Sequence, residues 1–269
     1  MKTYKHIMLI SSILLAMLNA CNKPNESKLA QQKINLAYQL LQQGNINQAQ
    51  TQLDSVHLLY PKQIKQRRTA KHLQDSITLI QAQRTAHYSD SLLQTLLPKA
   101  DQQFNNFKWE KNDKYEDQGR YVHKLLNTDR NTQRSFIQCY LTQNKQIILK
   151  SYYCGPRNIN QQQIQLNAQQ NTLSAQGNNH TFQDANQVHE IMTLNENDAL
   201  NLLQFISEYQ NQKIKVILSG TSNYSYFLQD SEKKALEQTY SLAILLKDIQ
   251  QLEKQLDYAN RQIQLYSSK

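Results

Sequence analysis

The chain has 269 residues, with 30 Lys and Arg against 21 Asp and Glu for a formal net charge of +9, and only five glycines and four prolines. So few glycines leave no material for a Gly-rich phosphate loop or a dinucleotide fingerprint, and so few breakers favour long helices over loops. A basic balance ordinarily points to nucleic acid, but the first twenty residues argue against that partner.

Those residues open with Met1-Lys2-Thr3-Tyr4-Lys5, continue with a mostly apolar run from Ile7 to Leu18, and close on Asn19-Ala20-Cys21. A positive start, a short apolar stretch and a small residue before the cut make a secretory signal over residues 1–20. Twelve apolar residues extend about 18 Å as a helix, short of the roughly 20 residues needed to cross a bilayer. Leu18-Asn19-Ala20-Cys21 resembles the lipobox of bacterial lipoproteins. That resemblance implies cleavage before Cys21 and acylation, with palmitate-type chains, of that cysteine, giving a membrane anchor without a spanning helix. Loss of the signal removes two lysines and lowers the net charge from +9 to +7. Export excludes nucleic acid and leaves phospholipid headgroups, lipopolysaccharide and acidic glycans as the polyanions within reach.

A polar tether is expected over 21–30. Next, over 31–62, Ile34, Leu36, Ala37, Leu40 and Leu41 keep helical spacing, Gly44-Asn45 breaks it, and Ala49, Leu53, Val56 and Leu59 resume it before Pro61. This stretch resembles one tetratricopeptide (TPR) repeat, with small residues at Ala37 and Ala49 and a closing proline at Pro61. One copy cannot stand alone and must lean on another element. Gln63 to Leu97 contains neither glycine nor proline, and Ala70, Leu73, Ile77, Ile80, Leu92, Leu93, Leu96 and Leu97 mark an apolar stripe. The expectation is a long helix within 63–105 that ends near Pro98.

Between about 106 and 228 the periodicity changes to two. Strands are expected at Ser135–Thr142, Gln146–Cys154, Gln163–Ala168, Asn171–Ala175, His189–Leu194, Ile214–Ser219 and Asn223–Leu228, with one helix at Asn197–Tyr209. Gln169-Gln170 joins the third and fourth strands, and Ser219-Gly220-Thr221-Ser222 reads as a hairpin turn. With Cys21 acylated, Cys139 and Cys154 are the disulfide candidates. A hairpin turning at Asn144-Lys145 sets Cys139 opposite about position 150, so a direct cross-strand bond is out of register, while a bond through another layer stays open.

From 229 to 269 the spacing of Leu242, Leu245, Ile249, Leu252, Leu256, Ala259, Ile263 and Tyr266 is the seam of a coiled coil. Both long helices extend about 50–55 Å. Their matched lengths suggest that they pair antiparallel as a stalk, and the same seam also fits a second copy of the chain, a homo-oligomer through the C-terminal helix. The expected fold class is α+β: a TPR-like helical hairpin and a long antiparallel coiled-coil stalk with an inserted antiparallel β-rich domain.

Trp109-Glu110-Lys111-Asn112-Asp113-Lys114-Tyr115-Glu116-Asp117-Gln118-Gly119-Arg120-Tyr121-Val122-His123, the strand ending Tyr152-Tyr153-Cys154-Gly155, and Leu242-Ala243-Ile244-Leu245-Leu246 together resemble a group of uncharacterised lipoproteins from Bacteroidota. The resemblance implies location and layout and no activity. Asn22-Lys23-Pro24-Asn25-Glu26 lacks the acidic cluster that often follows the lipidated cysteine of surface-exposed lipoproteins in that phylum. The outer membrane facing the periplasm is therefore the expected address, with the cell surface as the open alternative.

No catalytic, cofactor or metal residues are assigned. The histidines show no metal-ligand spacing, and Ser219 to Ser222 lacks the glycine spacing of a nucleophile elbow. Glu110, Asp113, Glu116 and Asp117, mixed with Lys108, Lys111, Lys114, Trp109 and Tyr115, read as a charged, solvated linker, with calcium or glycan contact as the lesser option. A glycosidase carboxylate pair is disfavoured because closeness in sequence does not set two carboxylates across a cleft. Lys62, Lys65, Arg67, Arg68 and Lys71 are the candidate interaction patch, for anionic headgroups or an acidic glycan, against a plain solvated helix face. Tyr224, Tyr226 and Leu228 share one strand face, as do Tyr152 and Cys154; these rings either fill the core or stack on sugar. Expected is a non-enzymatic binding or scaffolding protein of the envelope with a protein or anionic-glycan partner, the alternative being carbohydrate or small-ligand binding through the β-rich domain.

Overall fold

Asn25 starts the first helix. Its side-chain oxygen accepts from the backbone N–H groups of Ser27 at 3.1 Å and Lys28 at 3.3 Å, satisfying donors that an uncapped helix leaves open. Helix α1 therefore spans Glu26–Gln42, and the tether expected over 21–30 gives up its last five residues to it. A capped first turn is itself polar, so composition alone cannot separate the two. The computed structural model describes residues 25–111, 114, 117–126, 133–184 and 186–267. Cys21 and the signal lie outside them.

Gly44 turns the chain with φ 79°, a left-handed conformation that glycine takes without strain. Asn45 N–H then closes on the Leu40 carbonyl at 2.8 Å. Helix α2 (Ile46–Leu59) returns along α1, and α3 (Ile64–Phe104) follows the turn at Pro61. The stop expected at Pro98 does not occur: the proline sits inside α3. It removes one backbone bond at a cost of about 3 kcal/mol, which burial of Leu93 and Ala100 and packing of Leu96 and Phe104 on either side offset.

The chain divides into two compact units, one of residues up to His87 with Asp257 onward, the other Tyr88–Leu256. In the first, Ala30, Ile34, Ala37, Ala49, Leu53 and Val56 of α1 and α2 bury against Ala70 and Ile77 of α3. The hairpin does lean on the following helix. Tyr266, near the end of α5 (Asp230–Ser267), lies within electrostatic range of Lys71.

The second unit is a two-sheet assembly. One sheet has six strands in the order β1 (Phe107–Glu110), β2 (Arg120–His123), β3 (Phe136–Thr142), β4 (Ile147–Gly155), β8 (Gln187–Thr193), β7 (Asn178–Asp184). The other has four in the order β10 (Asn223–Phe227), β9 (Lys215–Ser219), β5 (Gln163–Ala168), β6 (Asn171–Gln176). All pairings are antiparallel. The chain passes between sheets at Gly177, where a Cβ would come within 2.4 Å of the Thr193 carbonyl. Helix α4 (Glu196–Glu208), capped by Asn195, packs on β4 and β6 with Leu202, Leu203 and Ile206 fully buried. Leu242, Ile249 and Leu252 of the heptad seam share this core with Leu93 and Ala100 of α3, so this part of the seam is packed within the chain. Gln103 lines a cavity with Gln238, and Leu92 and Leu96 line another with Leu252 and Gln255, so α3 and α5 run antiparallel here. Among the described residues, five helices and two antiparallel sheets make the fold α+β.

Three strands escaped the sequence pattern. β1 and β2 hold part of the presumed charged linker: Glu110 pairs with Lys108 at 2.6 Å and with Arg120 at 3.6 Å, while Phe107 and Val122 are buried. β7 is exposed along its whole length, so no apolar alternation announces it. The β3–β4 register is one residue from expectation, with Cys139 opposite Leu149. A three-residue loop, Gln143 to Lys145, closes that hairpin through Thr142 N–H to the Gln146 carbonyl at 2.8 Å, with Lys145 at φ 63° as the bulge. Cys139 and Cys154 are both buried free thiols, and burial raises the pKa of each.

Candidate functional site

A cleft of about 390 Å³ in the β-rich unit is built from three separated segments. The β3–β4 turn supplies Asn144, Lys145, Gln146 and Ile147, the first turns of α4 supply Glu196 and Leu200, and α5 supplies Ala243, Ile244, Leu246, Lys247 and Gln250. Its volume lies within the usual range of small-molecule sites. Aliphatic side chains make the floor, three carboxamides stand at the rim, and two ammonium groups against one carboxylate give the lining one net positive charge.

The turn that presents Lys145 is fixed. Lys145 N–H donates to the Thr142 carbonyl at 2.9 Å, and Gln146 N–H to Thr142 Oγ1 at 3.1 Å. Its φ of 63° belongs to the region that glycine occupies freely and other residues occupy at a cost of about 1 kcal/mol or more. A cationic side chain thus stands where the backbone favours none, at the mouth of a cleft. The lysines, the carboxylate and the amides can hold and orient a ligand; the cleft lining includes no Ser, Cys or His to serve as nucleophile or base.

A second constellation is structural. Glu190, fully buried on β8, accepts the backbone N–H groups of Ile159 (2.7 Å), Asn160 (2.9 Å) and Gln161, and the Asn179 amide at 3.1 Å. Gln161 in turn donates to Ser151 Oγ at 2.6 Å, and Thr221 N–H donates to the Ile159 carbonyl at 2.8 Å. One carboxylate thereby ties the six-stranded sheet to the segment leading into β5, and that segment in turn holds the β9–β10 turn through the Ile159 carbonyl. Four donors compensate its desolvation.

His123 is buried beside Phe107 and Gln238. Its Nδ1 accepts Leu125 N–H at 3.1 Å, so the proton sits on Nε2 and is donated to Gln238 Oε1 at 2.7 Å. Desolvation by burial lowers its pKa, and Lys234 and Lys124 act in the same direction while the Gln238 bond and Glu237 oppose.

The expected patch residues Lys62, Lys65, Arg67, Arg68 and Lys71 are all exposed. Lys65, Arg67, Arg68 and Lys71 spread over roughly 160° of α3, on the side away from Ala70 and Ile77. Arg67 donates to the Pro61 carbonyl at 3.1 Å, and Lys71 pairs with Asp75 at 2.7 Å. That ion pair raises the Lys71 pKa. Of the strand tyrosines, Tyr152 stacks on Phe136 at 4.6 Å, Tyr224 meets Tyr153 edge-on at 5.3 Å, and the Tyr226 hydroxyl is buried. Tyr152 thus packs within the sheet, while Tyr224 keeps 36% of its surface exposed. Within the presumed charged linker, Asn112, Asp113, Tyr115 and Glu116 lie outside the described residues. Ser219 to Ser222 is the β9–β10 turn, and among the described residues no three His, Cys, Asp or Glu are placed to hold a metal ion.

Sequence reasoning missed the cleft and Glu190. The cleft joins positions about 50 residues apart, which no local pattern links. Glu190 had one visible signal, a carboxylate on the inward face of a strand between Val188 and Met192. Comparison with protein-family models, curated proteins and solved structures finds no match for this chain.

Proposed function

We propose that this chain is a lipoprotein of the bacterial cell envelope, held by lipid on Cys21 at the periplasmic face of the outer membrane, that binds an acidic saccharide and carries out no chemistry on it. The anchor is supported by the signal and lipobox pattern of residues 1–21, and the kinship with Bacteroidota lipoproteins belongs to the same proposal. No helix among the described residues is long and apolar enough to cross a membrane. The observation that carries the binding role is the cleft with Lys145 held at its mouth in a left-handed backbone conformation. Lys145 and Lys247 suit a carboxylate, the amides of Asn144, Gln146 and Gln250 and the carboxylate of Glu196 suit hydroxyls, and the aliphatic floor suits a sugar's C–H face.

Calorimetric titration with glucuronate, glucose and inorganic phosphate tests this. Glucuronate is expected to bind, glucose not to, and Lys247→Gln to weaken glucuronate about 10- to 100-fold, the span of a charge-assisted hydrogen bond. Equal affinity for glucose, or a Lys247→Gln protein that binds as the parent does, contradicts the proposal.

A further inference from the structure

The turn between α2 and α3 carries a concentrated apolar surface. Leu58, Leu59 and Ile64 are 78, 61 and 69% exposed, and they flank a single turn within seven residues. Isolated exposed leucines are ordinary, whereas a cluster of them marks an interaction site. Lys62, Lys65 and Arg68 stand exposed among and beside them, and Arg67 braces the turn from the Pro61 carbonyl. Apolar side chains interleaved with cations are the composition of segments that lie in the interface of an anionic bilayer.

The position of this tip points to the same occupant. Gln63 donates to Glu26 Oε2 at 3.3 Å and Gln66 to Ser27 Oγ at 2.8 Å, so the start of α3 is bound to the first turn of α1. Glu26 follows Cys21 by five residues, and five residues reach at most about 17 Å fully extended. A lipid on Cys21 thus brings the tip to a headgroup layer whose phosphates complement its cations. Glu26 also lies at this end, where Gln63 donates to its carboxylate.

We infer that the α2–α3 tip docks on anionic phospholipid, with Leu58, Leu59 and Ile64 entering the headgroup boundary and Lys62, Lys65 and Arg68 against phosphates. Resting on the lipid-anchor reading, this adds a second membrane contact that seats the helical hairpin on the bilayer to which Cys21 is tethered. The anchor supplies attachment, and the tip supplies orientation.

The test uses the mature chain carrying Cys21→Ser, which has no lipid, with vesicles of equal parts phosphatidylglycerol and phosphatidylcholine and with pure phosphatidylcholine. Cosedimentation is expected with the anionic vesicles alone and should weaken with salt. Joint replacement of Lys62, Lys65 and Arg68 by Ser lowers partitioning about a hundredfold, at roughly fivefold per cation. Joint replacement of Leu58, Leu59 and Ile64 by Ser abolishes the binding that survives high salt. Circular dichroism of both variants is expected to match the parent, since all six side chains are exposed. A parent chain that ignores both vesicle types, or variants that bind as it does, overturns the inference and leaves the tip to a protein partner. Metabolic labelling of the exported wild-type chain with a palmitate analogue separates the two readings. Vesicle binding through the tip without label on Cys21 rejects the anchor and keeps the tip; label without tip-dependent binding rejects the tip and keeps the anchor.

Discussion

The helical unit and the β-rich unit handle polar groups in opposite ways. In the helical unit the buried cluster is purely aliphatic, from Ala30 to Ile77, and the polar ties between helices lie at its margin, as in Lys33 to Gln52 at 2.9 Å and Gln74 to Asp54 at 2.7 Å. The β-rich unit buries Glu190, Gln161, Ser151 and His123 outright, and each finds its partner through a tertiary contact or a turn. Helices satisfy their own backbone, so a helical core needs only an apolar stripe. Loops between sheets leave N–H groups that something inside must accept, and here Glu190 accepts three of them.

Single substitutions can sharpen that contrast. Glu190→Gln is expected to cost about 3 kcal/mol, because the buried backbone donors of Ile159, Asn160 and Gln161 lose a carboxylate and face an amide. Urea denaturation of the β-rich unit's tyrosine signal reads it, and a loss below about 1 kcal/mol would mean that water reaches those donors. The next effect depends on pH. Burial holds the His123 pKa below its unfolded value of about 6.5, so the unfolded chain takes up the proton first. His123 therefore contributes its full stability above about pH 6.5, and that contribution falls as the pH drops below it. The melting temperature of the parent should fall more steeply between neutrality and mild acid than that of His123→Gln; parallel profiles would remove the histidine from the account. Smallest is Gln52→Ala in the helical unit, expected to cost about 0.5 kcal/mol because its partner Lys33 can turn to water. A cost like that of Glu190→Gln would erase the distinction between the units.

The same contrast explains what was legible in the sequence. Ala37, Ala49, Leu53, Gly44 and the heptad positions from Leu242 to Leu256 announce themselves within one turn of their neighbours, and the structure places them as the spacing requires. The Gln169-Gln170 turn between β5 and β6 is equally local. Pro98 misled because helix termination is judged from a local rule, whereas Leu93 and Ala100 hold the helix through tertiary burial. β7 gave no period because none of its residues is buried. The bulge at Lys145 moved the β3–β4 register by one residue, a shift set by a backbone angle that residue type does not disclose. Glu190 and the cleft were hidden for a common reason, since each is defined by partners from three chain segments.

Lys145 is where backbone cost and proposed function meet, and Lys145→Gly examines both in one protein. The cleft-binding account predicts a chain more stable by about 0.5–1 kcal/mol, from relief of the left-handed strain, that has lost about tenfold or more of its affinity for glucuronate. A Lys145→Gly protein that gains stability and binds glucuronate as tightly as the parent would contradict the assignment of this cleft as the ligand site.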